Sequence, residues 1–496
     1  MRSPSPLDLV VTSGIVIMVL AATTARSLLT PLFSSGDEMA HFDYAVQVWH
    51  GDLPVFEDGL QVELPWGVRP PVQWTSQHPP LFYVLLAPVV GPLYDSGSPY
   101  LAGMSGRMVN TVIAAVLCAA VMWAVRPLCG GRRWLPWIAG LTAASSPWVM
   151  GVGSAIYNDN MAALEITVVL GAALRLITLP REGTGAFATR SGMWWVLGIA
   201  AVAAASTRFA LVPIVAVVFG TLVLRGLLAP GPLPRRSWLL RPVLIGIAMI
   251  AATGWFYLRN VRLTGTVAGG HPDWAKANTG RTSPPAPLEV AADPVYWSKL
   301  LGIFSPGNTP DGLTLWALLA APALLGAVLA TVLGAASRRG RSAPHGSRTP
   351  GAAERPVALA GVAMLAAVSG LLITMQFVYV SAAAGNLFPR YSLPILSVTC
   401  LLIAWGLGGL RRAAPLLVLA WSATAWWQIV VFLLGRPRTA AQGQAELRPD
   451  LALPLVGFAV AAAVVTVAAV LIGVIMTSRP APGGPGRRAR RVAAPA

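Results

Sequence analysis

Residues 9–29, LVVTSGIVIMVLAATTARSLL, lead within four residues to 34–44, SSGDEMAHFDY, and this junction decides how the chain is read. The first stretch is long and apolar enough to cross a bilayer core, which takes about 20 residues of helix. It carries no small-residue cleavage site and therefore reads as an uncleaved span. The second stretch puts two carboxylates, Asp37 and Glu38, where that span meets a lipid-flanked surface, a costly place for charge. Met39, Phe42, Val46 and Trp49 recur at helical spacing, a stripe suited to an interfacial helix, with Asp37, His41 and Tyr44 on another face. Two roles for the acidic pair stand side by side. Ser35-x-x-Glu38 is a capping-box pattern and Asp37 favours a helix N-terminus; equally, Asp37 can reach a substrate while Glu38 caps.

Apolar runs of the same kind recur to the end of the chain. Of 496 residues, 55% are hydrophobic and 11% charged, with a mean hydropathy of +0.65; a soluble chain would carry about a quarter charged residues. The expected class is all-α: a polytopic membrane protein with about twelve transmembrane helices plus interfacial helices in the first outer loop. The spans fall near 9–29, 104–126, 134–152, 161–180, 193–207, 209–228, 242–258, 313–335, 357–380, 390–409, 414–435 and 451–477. Residues 79–94 are also apolar, but Pro79, Pro80, Pro88 and Pro92 suggest a re-entrant or interfacial segment.

The net charge of +17 sits in short arginine clusters between spans, such as Arg132–Arg133, Arg235–Arg236 and Arg411–Arg412. Such clusters mark cytoplasmic loops. No basic face interleaved with aromatics is present, which argues against a nucleic-acid partner. Placing the clusters inside puts both termini in the cytoplasm and the two longest loops, 30–103 and 259–312, outside a cell membrane crossed many times. Residues 1–477 form one transmembrane domain; the basic tail 478–496 and the polar loop 336–356 read as disordered. Cys118, Cys129 and Cys400 lie in or beside apolar spans and offer neither a disulfide framework nor metal-ligand spacing. Abundant Arg, Ala, Gly and Pro beside two lysines fit a GC-rich bacterial coding bias.

Further polar residues on the outer side need explaining. Paired prolines set Gln77 and His78 just outside an apolar helix, where a histidine can hold a phosphate or a sugar hydroxyl, or simply end the helix. Arg107 (with Asn110), Arg208, Arg259 and Arg390 lie at outer ends of spans, against the inside bias. Each alone can snorkel to head groups; several converging suit an anion held at the membrane surface. Tyr157-Asn158-Asp159-Asn160 makes a tight outer turn of ordinary turn residues on the same side as Asp37.

Taken together these segments resemble the C-type glycosyltransferase (GT-C) superfamily, which includes protein O-mannosyltransferases and aminoarabinose transferases acting on lipid A. The likeness runs in order through Asp37-Glu38-x-x-His41-Phe42-x-Tyr44, Gln77-His78-Pro79-Pro80-Leu81-Phe82-Tyr83, Asn158-Asp159-Asn160, Thr207-Arg208-Phe209, Trp255-x-Tyr257-x-Arg259-Asn260 and Arg390-Tyr391-x-Leu393-Pro394. Where some relatives carry lysine before the proline pair, this chain has His78, a poorer anion partner when neutral. The resemblance implies a hexosyl- or pentosyltransferase that takes sugar from a polyprenyl-phosphate-linked donor to an acceptor hydroxyl on a cell-envelope glycan, lipid or protein. It implies Asp37, with Glu38 beside it, as the catalytic acid pair in an inverting attack. His41, Tyr44, Gln77, His78, Arg107, Asn158, Asp159, Arg208, Arg259, Asn260, Arg390 and Tyr391 are the expected substrate-binding set. No cofactor is required, although Asp37 and His41 at i, i+4 could ligate a divalent metal. A secondary transporter, a ligase for whole lipid-linked glycans, or a non-catalytic protein of the same fold share the topology.

Overall fold

The structure is a computed structural model describing residues 5–64, 66–178, 184–228, 235–278, 283–307, 311–339, 351–410, 412–435 and 447–478. The tail beyond residue 478 and residues 340–350 of the polar loop, both expected to be disordered, lie outside the described residues. Among the described residues there is no strand. In chain order the helices are α1 (Pro6–Leu29), α2 (Gly36–Trp49), α3 (Leu81–Asp95), α4 (Pro99–Val125), α5 (Trp134–Ala143), α6 (Pro147–Gly153), α7 (Asp159–Thr178), α8 (Thr184–Thr207), α9 (Leu211–Leu228) and α10 (Arg235–Thr264). Three short helices of the second long loop follow: α11 (Pro272–Asn278), α12 (Pro287–Ala292) and α13 (Pro294–Leu301). α14 (Gly312–Leu315) passes through a π-helical turn into α15 (Ala321–Arg339), and α16 (Gly351–Ala383) is followed by a 3-10 stretch, Pro389–Ile395. α17 (Leu396–Gly409), α18 (Ala414–Leu434) and α19 (Pro449–Ser478) complete the bundle.

Ten helical segments among the described residues are long and apolar enough to cross a membrane, against the twelve or so expected. The difference lies at 134–152 and 193–207. The first is interrupted: Ser146 accepts a hydrogen bond from the Val149 N–H at 3.3 Å and Pro147 opens the next helix, so α5 and α6 are separate. The second is apolar only over Ser191–Thr207. Within 79–94 a short apolar helix, α3, starts at Leu81 directly after the proline pair and is not among the helices long enough to span.

One large apolar core runs through the bundle, from α1 and α4 to α17, α18 and α19. α1 and α19 lie alongside each other, and Arg448 N–H donates to Leu28 C=O at 3.1 Å. The start of α19 thus meets the end of α1, and the two run antiparallel. A second cluster belongs to the first long loop, where Phe33, Met39, Phe42, Tyr44, Phe82 and Tyr83 pack with Ile156 and Met161. In α2 the residues from Glu38 to Gln47 are all buried, so burial is not confined to the Met39, Phe42 and Val46 stripe. The loop is a packed layer on the bundle and holds its polar residues rigidly.

α15 and α17 cross at Gly326 and Gly406. A Cβ on Gly326 would strike the Leu402 carbonyl oxygen, and one on Gly406 would strike that of Pro322. Close approach of this kind depends on small residues, as in membrane helix pairs generally. Gly406→Ala is expected to destabilise the protein by about 1–3 kcal/mol or more, the scale of overpacking. Thermal unfolding of the purified variant in detergent measures it; an unchanged midpoint would show that the crossing can loosen freely.

Candidate active site

The turn between α1 and α2 is set by a buried ion pair. Arg107 donates through Nε to Glu38 Oε1 at 2.7 Å and through Nη2 to Oε2 at 2.8 Å. Its remaining donors reach the carbonyls of Ser27, Thr30 and Pro31, which the end of α1 leaves without helical partners. Glu38 also accepts from the backbone N–H of Phe33 at 3.0 Å and of Ile156 at 3.3 Å. Ser35 makes no side-chain cap on α2, so the expected capping box does not form. Glu38 instead holds Phe33 in a left-handed conformation, φ +56°, which an aromatic residue adopts only when its surroundings enforce it. Both side chains are essentially inaccessible, at 0% and 2% exposure.

With Glu38 so engaged, Asp37 stands at the surface, its side chain 36% exposed. Arg390, at the start of the 3-10 stretch, donates from Nη2 to Asp37 Oδ2 at 2.6 Å, and its Nε lies 3.9 Å from Asp159 Oδ2. Asp159 in turn accepts from Arg208 Nη1 at 2.8 Å, and Arg208 Nε donates to Asn158 Oδ1 at 2.8 Å. Four charged side chains from four separate parts of the chain thus form one continuous network. Asn158 Nδ2, Asp159 Oδ2 and Arg390 Nε remain buried with no hydrogen-bond partner within the protein. Such groups leave room for a polar ligand. The turn bearing Asn158 is itself pinned by Asn110, whose Nδ2 donates to the carbonyls of Val152, Ala155 and Tyr157.

Arg390 also lies over the ring of Tyr157 at 4.7 Å, and Tyr157 Oη is 2.9 Å from Ser35 Oγ. Beneath it is a stack of rings. His41 packs parallel to His78 and edge-on to Tyr157, and its Nδ1 bonds Tyr83 Oη at 2.8 Å. Tyr44 stacks on Tyr83 at 3.6 Å and donates to the His78 carbonyl. Burial first, then the positive fields of Arg208 and Arg390, hold the His78 imidazole well below its ordinary range; burial, His78 and the same arginines do so for His41. Both are neutral at pH 7. Burial pushes the Tyr157 phenol up to about 12, so it stays protonated.

Arg208, Arg390 and Asp159 also border a small cleft of about 50 Å³ between α7, α9 and α16. Gln376 and Tyr391 share its rim, and Ala162, Leu211, Ile214, Leu372 and Pro394 form apolar walls. The cleft thus brings charged and polar side chains together with aliphatic walls.

Of the residues anticipated from sequence, Asp37, Asn158, Asp159, Arg208 and Arg390 are joined directly, Tyr391 lines the cleft, and His41, Tyr44 and His78 form the adjoining stack. Arg107 and Glu38 frame the site from inside. Arg259 and Asn260 stand outside the network: Arg259 donates to the Pro54 carbonyl at 2.7 Å, and Asn260 to that of Gln77 at 3.2 Å. They strap α10 to the first long loop. Asp37 and His41 are each engaged elsewhere, and among the described residues no three potential ligands gather into a metal seat. Tyr157 and Gln376 were not singled out beforehand; Tyr157 lay within the quoted turn but carried no sign that its ring would support Arg390.

No family model and no curated protein matches the chain. Solved structures do. ArnT from Cupriavidus metallidurans in the apo state superposes with a TM-score of 0.50 at 16% identity, covering 92% of this chain and 73% of that one. ArnT bound to undecaprenyl phosphate gives 0.49 at 16% identity, over 94% and 77% of the two chains. The Archaeoglobus fulgidus oligosaccharyltransferase tethered to an acceptor peptide gives 0.47 at 14% identity, over 95% and 55%. The chain shares its fold with ArnT.

Two outcomes follow for the frame and the stack. Glu38→Ala leaves Arg107 buried and unpaired, which typically costs about 3–5 kcal/mol; thermal unfolding is expected to show a large loss, and a wild-type midpoint would mean that the pair is dispensable. His41 and His78 are held neutral when folded but take up protons near pH 6.5 when unfolded. The unfolded state therefore binds more protons below that pH, and stability falls as pH drops from about 6.5, by up to about 1.4 kcal/mol per unit and per histidine. His78→Gln is expected to flatten the fall between pH 6.5 and 5.5; an equally steep fall in the variant would assign the titration to other groups.

Proposed function

We propose that this protein is a membrane glycosyltransferase that moves a sugar from a polyprenyl-phosphate carrier to an acceptor hydroxyl at the outer face of the membrane. One observation carries the reading: the Asp37–Arg390–Asp159–Arg208 network borders a cleft with aliphatic walls, with Asp37 its exposed member. Asp37 is the base. The acceptor oxygen attacks the anomeric carbon, its proton passes to Asp37, and the bond from that carbon to the phosphate oxygen breaks with its electron pair leaving on the lipid phosphate. One displacement of this kind inverts the anomeric centre.

Arg390 and Arg208 stabilise the departing phosphate, whose charge develops as the bond breaks. In the resting protein Arg390 is held by Asp37. A phosphate entering beside Arg390 competes for the same guanidinium and releases Asp37 to face the acceptor. His78, neutral and beside the two arginines, is suited to accept or donate a hydrogen bond at the head group and adds no charge. The guanidinium pair provides positive charge where other transferases use a divalent ion, so the reaction is proposed to run without metal. The aliphatic walls take the first isoprene units.

Base catalysis by one side chain is typically worth about 10²–10⁴-fold. Asp37→Asn is therefore expected to lower sugar transfer by at least about 10²-fold while leaving the protein folded and undecaprenyl phosphate binding at least as tight as in wild type. Transfer to cell-envelope glycans, followed by mass spectrometry in a strain carrying the variant, measures it. Wild-type glycans from Asp37→Asn would remove Asp37 from the base role. Unchanged glycans with altered solute uptake in a deletion strain would point to a transporter. Chelation by EDTA is expected to leave transfer unchanged, and a loss restored by added cation would overturn the metal-free mechanism.

A further inference from the structure

A third carboxyl lies next to the network and inside the bundle. Glu165 sits on α7 six residues after Asp159, about 9 Å further along the helix at 1.5 Å per residue. It is 6% exposed, and among the described residues no arginine, lysine or histidine pairs with it. Its Oε1 lies 2.7 Å from Thr207 Oγ1, and Oε2 has no partner. Thr207 Oγ1 is also 3.0 Å from the Ala203 carbonyl, the bond that a helical threonine makes to the turn before it.

The hydrogens decide the charge. A threonine hydroxyl has one hydrogen to give, and here two oxygens lie within donor distance of it. Were Glu165 a carboxylate, one of the two contacts would bring oxygens together with no hydrogen between them. If Glu165 carries the proton, both contacts are satisfied: Glu165 donates to Thr207, and Thr207 donates to Ala203. A neutral acid is also what an unpaired carboxyl buried in a membrane bundle tolerates.

Thr207 closes α8, and the next residue is Arg208, whose guanidinium is fixed on Asn158 and Asp159. The network balances two carboxylates against two guanidiniums, so an ionised Glu165 would be a third anion confronting the donor phosphate. We infer that Glu165 is a positioning residue working as a neutral acid: it ties the end of α8 to α7 through Thr207, and so aims Arg208 into the cleft without adding charge against a lipid phosphate. The role of Arg208 in this inference rests on the proposed donor site.

The test uses the full chain in nanodiscs, with undecaprenyl phosphate as the probe. Glu165→Gln, which can still donate to Thr207, is expected to bind the probe within about threefold of wild type, whereas Glu165→Ala weakens binding by about tenfold or more, the scale of one lost buried hydrogen bond. The infrared difference spectrum between wild type and Glu165→Gln is expected to contain the carbonyl band of a protonated carboxylic acid that shifts in heavy water. Binding lost as fully in Glu165→Gln as in Glu165→Ala, or no such band, would overturn the inference. A wild-type protein that fails to bind the probe counts against the donor reading, and the infrared band then decides the charge on Glu165 independently.

Discussion

The pairing of Glu38 with Arg107 is the constraint on which the candidate site depends. Both charges have left solvent, a large desolvation penalty, and the pair is tolerable because nearly every donor and acceptor is used: two bonds between the partners, three to carbonyls at and just beyond the end of α1, and two from backbone N–H groups. In doing so it joins the end of α1, the start of α2, the middle of α4 and the turn before α7. It also holds Phe33 in its unfavourable conformation in the turn between α1 and α2, beside which Asp37 stands partly exposed. A neighbouring pair of acids with opposite fates results: one locked as structure, one left at a cleft.

Beyond that frame, the site is organised by charge balance in a poorly solvated place. The two carboxylates, Asp37 and Asp159, are matched by two guanidiniums, Arg208 and Arg390. In the proposed reaction an anionic head group would exchange for a carboxylate on an arginine already in position, with no flexible side chain recruited from solvent. The Tyr157, Phe388 and Tyr391 rings contribute uncharged surface that supports Arg390 without competing for it. Pre-positioned cations of this kind cost little reorganisation when charge develops.

Much of this was legible in the sequence because it depends on residue type and order. The apolar runs gave the class, and outward arginines set against the inside bias flagged Arg107, Arg208 and Arg390 before any coordinates. Their separate roles were not legible. Spacing cannot tell that Arg107 turns inward to Glu38 while Arg390 reaches across about 350 residues of chain to Asp37, since both depend on how distant helices meet. The Ser35–Glu38 capping pattern was a sound local inference overruled by a tertiary partner stronger than a backbone N–H. The break at 144–146 could have been seen, because Ser146-Pro147 is a helix start signal that the hydrophobic average over 134–152 conceals. Arg259 and Asn260 were outward for a different reason, the strapping of α10 to the first long loop.

An electron cryomicroscopy structure of the full chain in nanodiscs with undecaprenyl phosphate addresses the central claim most directly. The account predicts phosphate density between the guanidiniums of Arg208 and Arg390, with the lipid chain along Leu211, Ile214 and Leu372 and the Asp37 carboxylate released from Arg390 toward open solvent. Phosphate density at the opposite end of the bundle, or an Asp37–Arg390 contact unchanged beside a lipid bound elsewhere, would contradict it.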